Sequence, residues 1–177
     1  MRAIAADVDI SPALLQYYFP SREELLLAVI QEWDDENNRR SLGWSVFGGW
    51  LRSIRHNSIV PGLVHLYTTS LAEATDPEHP GRSFFEKRYT RFTRNTVAEV
   101  LLQQHAGVTR EDLDPERIAR ILLALSEGLQ IRWLHTPDFD MAKEFKYLLD
   151  LLELKAPEID LGELDLDADP ANDEPRV

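Results

Sequence analysis

A chain of 177 residues has room for one ordinary domain, or for a small head on a larger body, and its 44% of hydrophobic residues can build a sizeable core. The absence of cysteine excludes a disulfide framework, a thiolate metal site and a cysteine nucleophile, and suits a reducing cytoplasm, the expected location. Net charge is −12, no apolar run of the signal-peptide kind opens the chain, and no stretch approaches the roughly 20 apolar residues that span a bilayer, so no membrane partner is expected.

The charge is unevenly placed. Residues 1–40 carry four Lys/Arg against eight Asp/Glu, and residues 157–177 carry one against eight. A basic footprint is the usual electrostatic sign of nucleic-acid binding, and neither end has one.

Helical signals run along the chain. No segment keeps a period-two alternation, and no Asn-Gly or Asp-Gly hairpin turn occurs, so an all-α fold is expected. Residues 1–8 read as a helix, with Asp9-Ile10 as a turn. Ser11 is an N-cap, and Pro12 takes the first helical position, where its missing N–H costs nothing. That short helix ends near Phe19-Pro20. Ser21 and Glu24 form a capping box ahead of Leu25, Leu26, Val29, Ile30 and Trp33 at helical spacing. A helix over 43–56 is weakened by Gly48-Gly49. Pro61 opens another to about Ala74, and the prolines of residues 76–81 make a loop. Long helices follow over Arg82–His105 and from Pro115, capped by Asp114, to His135. Asp138 caps a last helix to about Lys155. From Pro157 the chain is acidic and rich in Asp and Pro, which predicts a disordered tail over 157–177.

Three helices joined by very short turns occupy residues 1–33. On spacing alone this fits a helix-turn-helix or another helical corner. Its residues are more specific. Ile4-Ala5-Ala6, Val8-Asp9-Ile10-Ser11 and Tyr18-Phe19-Pro20-Ser21-Arg22-Glu23-Glu24-Leu25 resemble, without a gap, the signature of TetR-family transcriptional regulators. That signature reads Ile-Ala, Ala-Gly-Val-Ser, an aromatic, Phe, a small turn, Lys-Glu and Leu. The resemblance implies that residues 11–17 form a recognition helix for the major groove. Ser11, Pro12, Ala13, Leu14, Gln16 and Tyr17 would face DNA, and Arg22, at a helix N-terminus, would hold phosphate. Ile4, Ala5, Val8, Ile10, Leu15 and Phe19 would hold the helices together. Read without the resemblance, Tyr17 and Tyr18 are core aromatics and Arg22 is a solvated neighbour of acids.

There are departures. Asp9 stands where the family has Gly, although Asp tolerates a left-handed turn. Gln16 replaces a Tyr, and Arg22 a Lys. The chain also begins inside the family's second helix, so the expectation is that the bracing first helix is missing.

A second resemblance lies in Asp114-Pro115-Glu116-Arg117-Ile118, Leu125-Ser126-Glu127-Gly128-Leu129, Trp133-Leu134 and Pro137-Asp138-Phe139-Asp140. Ile118, Ile121, Leu122, Leu125 and Leu129 make one apolar stripe, with Leu123, Ile131 and Leu134 off it, so this helix is buried on more than one face. Met141, Phe145, Leu148, Leu149 and Leu152 make another stripe. In the family, two such helices pair with their symmetry mates in a four-helix bundle. The expected dimer interface is therefore Ile118, Ile121, Leu122, Leu125, Gly128, Leu129, Phe145, Leu148, Leu149 and Leu152. Gly128 would permit close helix approach.

Aromatic residues crowd the middle of the chain. A mostly apolar ligand pocket is expected there, lined by Phe47, Trp50, His65, Tyr67, Phe85, Arg88, Tyr89, Phe92 and Trp133. Its effector would be small and apolar or amphipathic, with Arg88 or Arg91 available to an anionic group. No paired-histidine metal motif, phosphate loop or nucleophile elbow occurs; no enzyme activity, cofactor or metal is expected.

These readings divide the chain into a partial helix-turn-helix (1–33), a helical ligand-binding and dimerisation domain (34–156) and the tail. They imply a homodimeric repressor that binds palindromic double-stranded operator DNA and is released by its effector. The alternative is a homodimeric small-molecule-binding protein that has lost DNA binding with the first helix. The acidic balance of residues 1–40 favours that alternative.

Overall fold

The computed structural model describes residues 1–156, so the expected tail lies outside the described residues. Within them the chain forms eight helices and no strand: α1 (Arg2–Asp7), α2 (Pro12–Tyr18), α3 (Arg22–Arg40), α4 (Val46–Asn57), α5 (Pro61–Glu73), α6 (Arg82–His105), α7 (Pro115–His135) and α8 (Met141–Leu151).

Caps set most of these boundaries. Ser11 Oγ accepts from the Leu14 N–H at 3.1 Å, and Ser21 Oγ accepts from the Glu24 N–H at 3.0 Å. Each satisfies a donor that the first helical turn leaves open. Asp114 accepts from the Glu116 and Arg117 amides. Asp9 bridges α1 and α2 at φ 53°, the left-handed turn expected of it. Several boundaries differ from expectation: α4 starts at Val46 and not at residue 43, and α8 ends at Leu151, short of Lys155. The cap of α8 is Asp140, whose carboxylate accepts from the Ala142 and Lys143 amides, and not Asp138. The helix after Ser21 runs on to Arg40, so the expected boundary at residues 33/34 falls inside α3. Its last turns are polar, and Arg39 and Arg40 pair with Glu32 and Glu36 along its surface.

Gly48-Gly49 are helical after all. A Cβ on Gly49 would stand 2.9 Å from Ser41 Cβ, so a residue without a side chain lets the start of α4 close against the end of α3. The main core gathers Phe47 and Leu51 of α4, Leu122 of α7, and Phe145 and Leu149 of α8. A smaller one joins Ile30, Tyr67 and Phe85 of α3, α5 and α6. Helix α7 packs on α5, α6 and α8, which accounts for its multi-faced apolar pattern.

Candidate functional site

The short helix α2 shows solvent nearly all its surface. Leu15 is buried, whereas Ser11, Pro12, Ala13, Leu14, Gln16 and Tyr17 are exposed, as is Arg22 in the first turn of α3. Tyr17 is 78% exposed and meets Tyr18 edge-on at 5.3 Å. Neither tyrosine is a core aromatic of the protomer. Ala5 and Leu15 are buried between the helices, with Ile4, Ile10 and Phe19 half-buried. Val8, expected to help join them, is 57% exposed, because it lies past the last turn of α1. Glu23 and Glu24 share the first turn of α3 with Arg22, so the local field around this cation is mixed.

Between α3, α4, α5, α6 and α7 lies a cavity of about 270 Å³. Of the residues expected to line it, Trp50, Tyr67, Arg88 and Phe92 do so. Phe85 and Tyr89 line instead a neighbouring, more open groove beside Thr68, Leu71 and Ile131. Phe47 and Trp133 pack into the main core, and His65 is exposed on the outer face of α5. The sequence reading missed the α3 wall: Trp33, Asp34 and Asn37 all line the cavity, joined by Ile30 one turn earlier. Ile30 and Trp33, apolar at helical spacing, are the local signal for this wall, and the polar Asp34 and Asn37 give none. The lining is also less apolar than expected, with nine of its 23 described residues Asn, Gln or Ser.

A charged cluster closes one side. Asp34 accepts from Arg88 Nε at 2.8 Å and Arg88 Nη2 at 3.1 Å, and from Arg91 Nη2 at 3.2 Å. The Arg88 guanidinium lies 4.5 Å over the Phe92 ring and 4.9 Å over that of Tyr67, so cation–π contact adds to the ion pair. On the other side of Tyr67, its hydroxyl donates to Glu127 at 3.4 Å. Elsewhere in the wall, Trp33 Nε1 donates to Asn57 Oδ1 at 2.8 Å and its ring stacks on His56, which meets Asn37 Oδ1 at 3.0 Å. Among the described residues, the indole N–H of Trp44 is buried without a hydrogen-bond partner.

Burial pushes the Tyr67 phenol up to about 12, with Arg88 opposing the shift and Glu127 adding to it. Burial and the hydrogen bond to Glu127 raise Tyr89 as well. An unfolded tyrosine ionises near pH ~10, so the folded chain holds the Tyr67 proton where the unfolded chain loses it. The stability this contributes is complete below about pH 10 and is lost as pH rises toward 12. In urea melts at pH 9 and pH 11, the native chain should lose about 1 kcal/mol relative to Tyr67→Phe on going to the higher pH. Equal pH dependence of the two would refute the shift.

Among the described residues, no group of His, Asp or Glu could hold a metal ion, and no helix is long and apolar enough to cross a membrane. The expected interface residues separate into two sets. Ile118, Leu122, Phe145 and Leu149 are buried in the protomer's own core and cannot meet a second copy, because the packing of α4 and α6 already covers them. Leu125, Leu129, Leu148 and Leu152 are half-buried at the rim of that core. Ile121 and Gly128 are exposed, and a Cβ on Gly128 would meet nothing within 4 Å, so no close helix approach inside the protomer calls for this glycine.

No family model matches the chain, and no curated protein does. Two of the solved structures that match it do so along most of their length. One is described as a TetR-family transcriptional regulator from Rhodococcus sp.; it is 25% identical, with 86% of each chain covered and a TM-score of 0.64. The other is described as a transcriptional regulator from Saccharomonospora viridis in complex with choline; it is 23% identical, with 86% of this chain and 84% of that one covered and a TM-score of 0.64. The chain thus has the fold of the TetR-family transcriptional regulators, the family that its sequence resembles.

Proposed function

We propose that the chain is a ligand-responsive, DNA-binding transcriptional regulator: a homodimeric repressor, released from its operator by a small molecule held in the cavity between α3 and α7. The observation that carries this reading is the course of α3. Its first turn adjoins the exposed helix α2, and its last turns supply Trp33, Asp34 and Asn37 to the cavity wall. One unbroken helix of 19 residues, about 28 Å at 1.5 Å per residue, therefore joins effector and DNA surfaces. A ligand that binds better to one placement of this wall shifts the recognition helix by its differential affinity. The choline complex of the Saccharomonospora viridis protein supports the use of this fold to hold a small molecule.

In this reading α2 enters the major groove, which admits one helix and carries a readable donor and acceptor code. A dimer presents two such helices to successive grooves roughly 34–36 Å apart. Exposed Tyr17 reads bases, and Arg22 binds phosphate at the N-terminus of α3. One observation favours the second reading, a small-molecule-binding homodimer without DNA binding: residues 1–40 carry a net charge of −4, and affinity for DNA comes largely from neutralised phosphates.

The deciding experiment is a fluorescence-anisotropy titration on the DNA flanking the gene, at several salt concentrations. It should be run on this chain and on the product of the longest reading frame that contains it. A palindromic fragment should bind at least one of them, with steep salt dependence. Tyr17→Ala should then reduce discrimination between sequences. Arg22→Ala should weaken all sequences alike and lower the salt slope by about one phosphate. If neither form binds any fragment at low salt, the second reading replaces the first.

A further inference from the structure

The cavity's chemistry narrows its ligand, an inference that rests on the cavity being the effector site. We propose that it takes a small, uncharged molecule rich in hydroxyl groups, of the monosaccharide or cyclic-polyol class.

Charge is the first argument. The carboxylate facing the cavity, Asp34, already accepts three hydrogen bonds from Arg88 and Arg91. At this end of the cavity the Arg88 guanidinium already lies over one face of Tyr67 and of Phe92. Beside Asp34 an organic cation would have to displace an internal arginine or sit next to two guanidinium groups. A buried charge is retained only when paired, and among the described residues no unpaired acid lines this cavity to pair it.

The polarity of the hydrogen bonds is the second. Ser41 Oγ donates to the Asn37 carbonyl at 2.8 Å, Ser53 Oγ to Gly49 at 2.9 Å and Ser126 Oγ to Leu123 at 2.9 Å. All three serines line the cavity with their protons turned back into their own helices, so what they offer a ligand is lone pairs. An acceptor-only anion finds these oxygens hostile, and a quaternary ammonium has no N–H to give them. A hydroxyl group donates to them, and can also accept from the unpartnered indole N–H of Trp44.

Shape is the third. The indoles of Trp33, Trp44 and Trp50 give flat walls, against which the C–H face of a saturated ring packs while its hydroxyl edge meets the serines and amides. A volume of about 270 Å³ lies at the small end of ligand pockets, which span roughly 300–1,000 Å³, and limits the guest to about one ring.

The test is a tryptophan-fluorescence titration at physiological salt with D-glucose, D-galactose, D-xylose and myo-inositol, against choline chloride and sodium benzoate. At least one neutral probe should quench saturably and raise the melting temperature, and neither charged probe should. Ser53→Ala and Ser126→Ala should each weaken that neutral probe roughly three- to tenfold, the worth of one hydrogen bond. Alanine is the best helix former, so both variants should fold. Ser58→Ala is the control: its hydroxyl also donates to its own helix, at the Arg55 carbonyl, but away from the cavity. Its affinity should be unchanged. Saturation by choline or benzoate and by no neutral probe would overturn the proposed class and leave the effector site standing. Silence from all six probes would count against both.

Discussion

Asp34→Leu should lower the stability of the folded chain by about 3 kcal/mol, the cost of removing one partner from a buried ion pair. For a domain of this size that is roughly 6–12 °C in melting temperature. Only 12% of the Asp34 side chain and 16% of that of Arg88 reach solvent, so water does little to compensate a stranded guanidinium. Arg91, more than a third exposed, already sees solvent and adds little to the loss. The cost lies in the uncompensated charge and not in the worth of the pair, and this gives the prediction its sharp form. The double variant Asp34→Leu with Arg88→Met should recover most of the stability, because an apolar replacement of a buried pair is often close to neutral. Circular-dichroism melts of the two single variants and the double variant close the cycle. If the two single losses simply add in the double variant, the residues are uncoupled and the cluster is not the clamp between α3 and α6 described above.

The clamp also shows where sequence reasoning stopped. Cap chemistry was legible at Ser11, Ser21 and Asp114, which each have a hydroxyl or carboxylate at the right offset from an apolar run and each cap their helix, but not at Ser45, which caps α4 inside a helix expected from residue 43. Asp138 and Asp140 offered the same signal two residues apart, and only the packing of Met141 and Ala142 into the core selects Asp140. The end of α3 was illegible for a related reason. Residues 34–40 are Asp, Glu, Asn and Arg, which read as a solvated face, yet Asp34 and Asn37 point into the cavity because Arg88 and His56 come to them from α6 and α4. No local pattern contains that information, since the partners are 54 and 19 residues away. Periodicity likewise recorded that α7 is apolar on several sides, but did not say which side belongs to the protomer. Leu122 and Ile121 are neighbours in sequence; one is fully buried and the other half exposed.

That division sets the last prediction. The proposed dimer must use what the protomer leaves uncovered: Ile121 and Ile131 on α7, each 51% exposed, the open surface over Gly128 between them, and Tyr147 and Leu151 on α8 at 63% and 57%. Gly128 and Ile131 stand seven and ten residues after Ile121, on one face of α7, a face that a second copy can meet across a two-fold axis. An aspartate at Leu125 or Leu129 would disturb the protomer and its interface together, because both side chains also pack against the main core. Ile121→Asp with Ile131→Asp separates the two effects. In the protomer both positions reach water and a carboxylate costs little; in a dimer each is buried without a partner. Light scattering at micromolar concentration should give twice 20.4 kDa for the native chain and 20.4 kDa for the double variant. The dissociation constant should rise on the order of a thousandfold, the equivalent of about 4 kcal/mol. The helical circular-dichroism spectrum should be retained, which distinguishes dissociation from unfolding. Where the native chain binds a palindrome, the variant should retain at most half-site affinity, since two recognition helices held by one interface bind with a high effective concentration and separate ones do not. A native chain that is a monomer at these concentrations would sink the α7–α8 interface, and a double variant that stays dimeric would move it to another face.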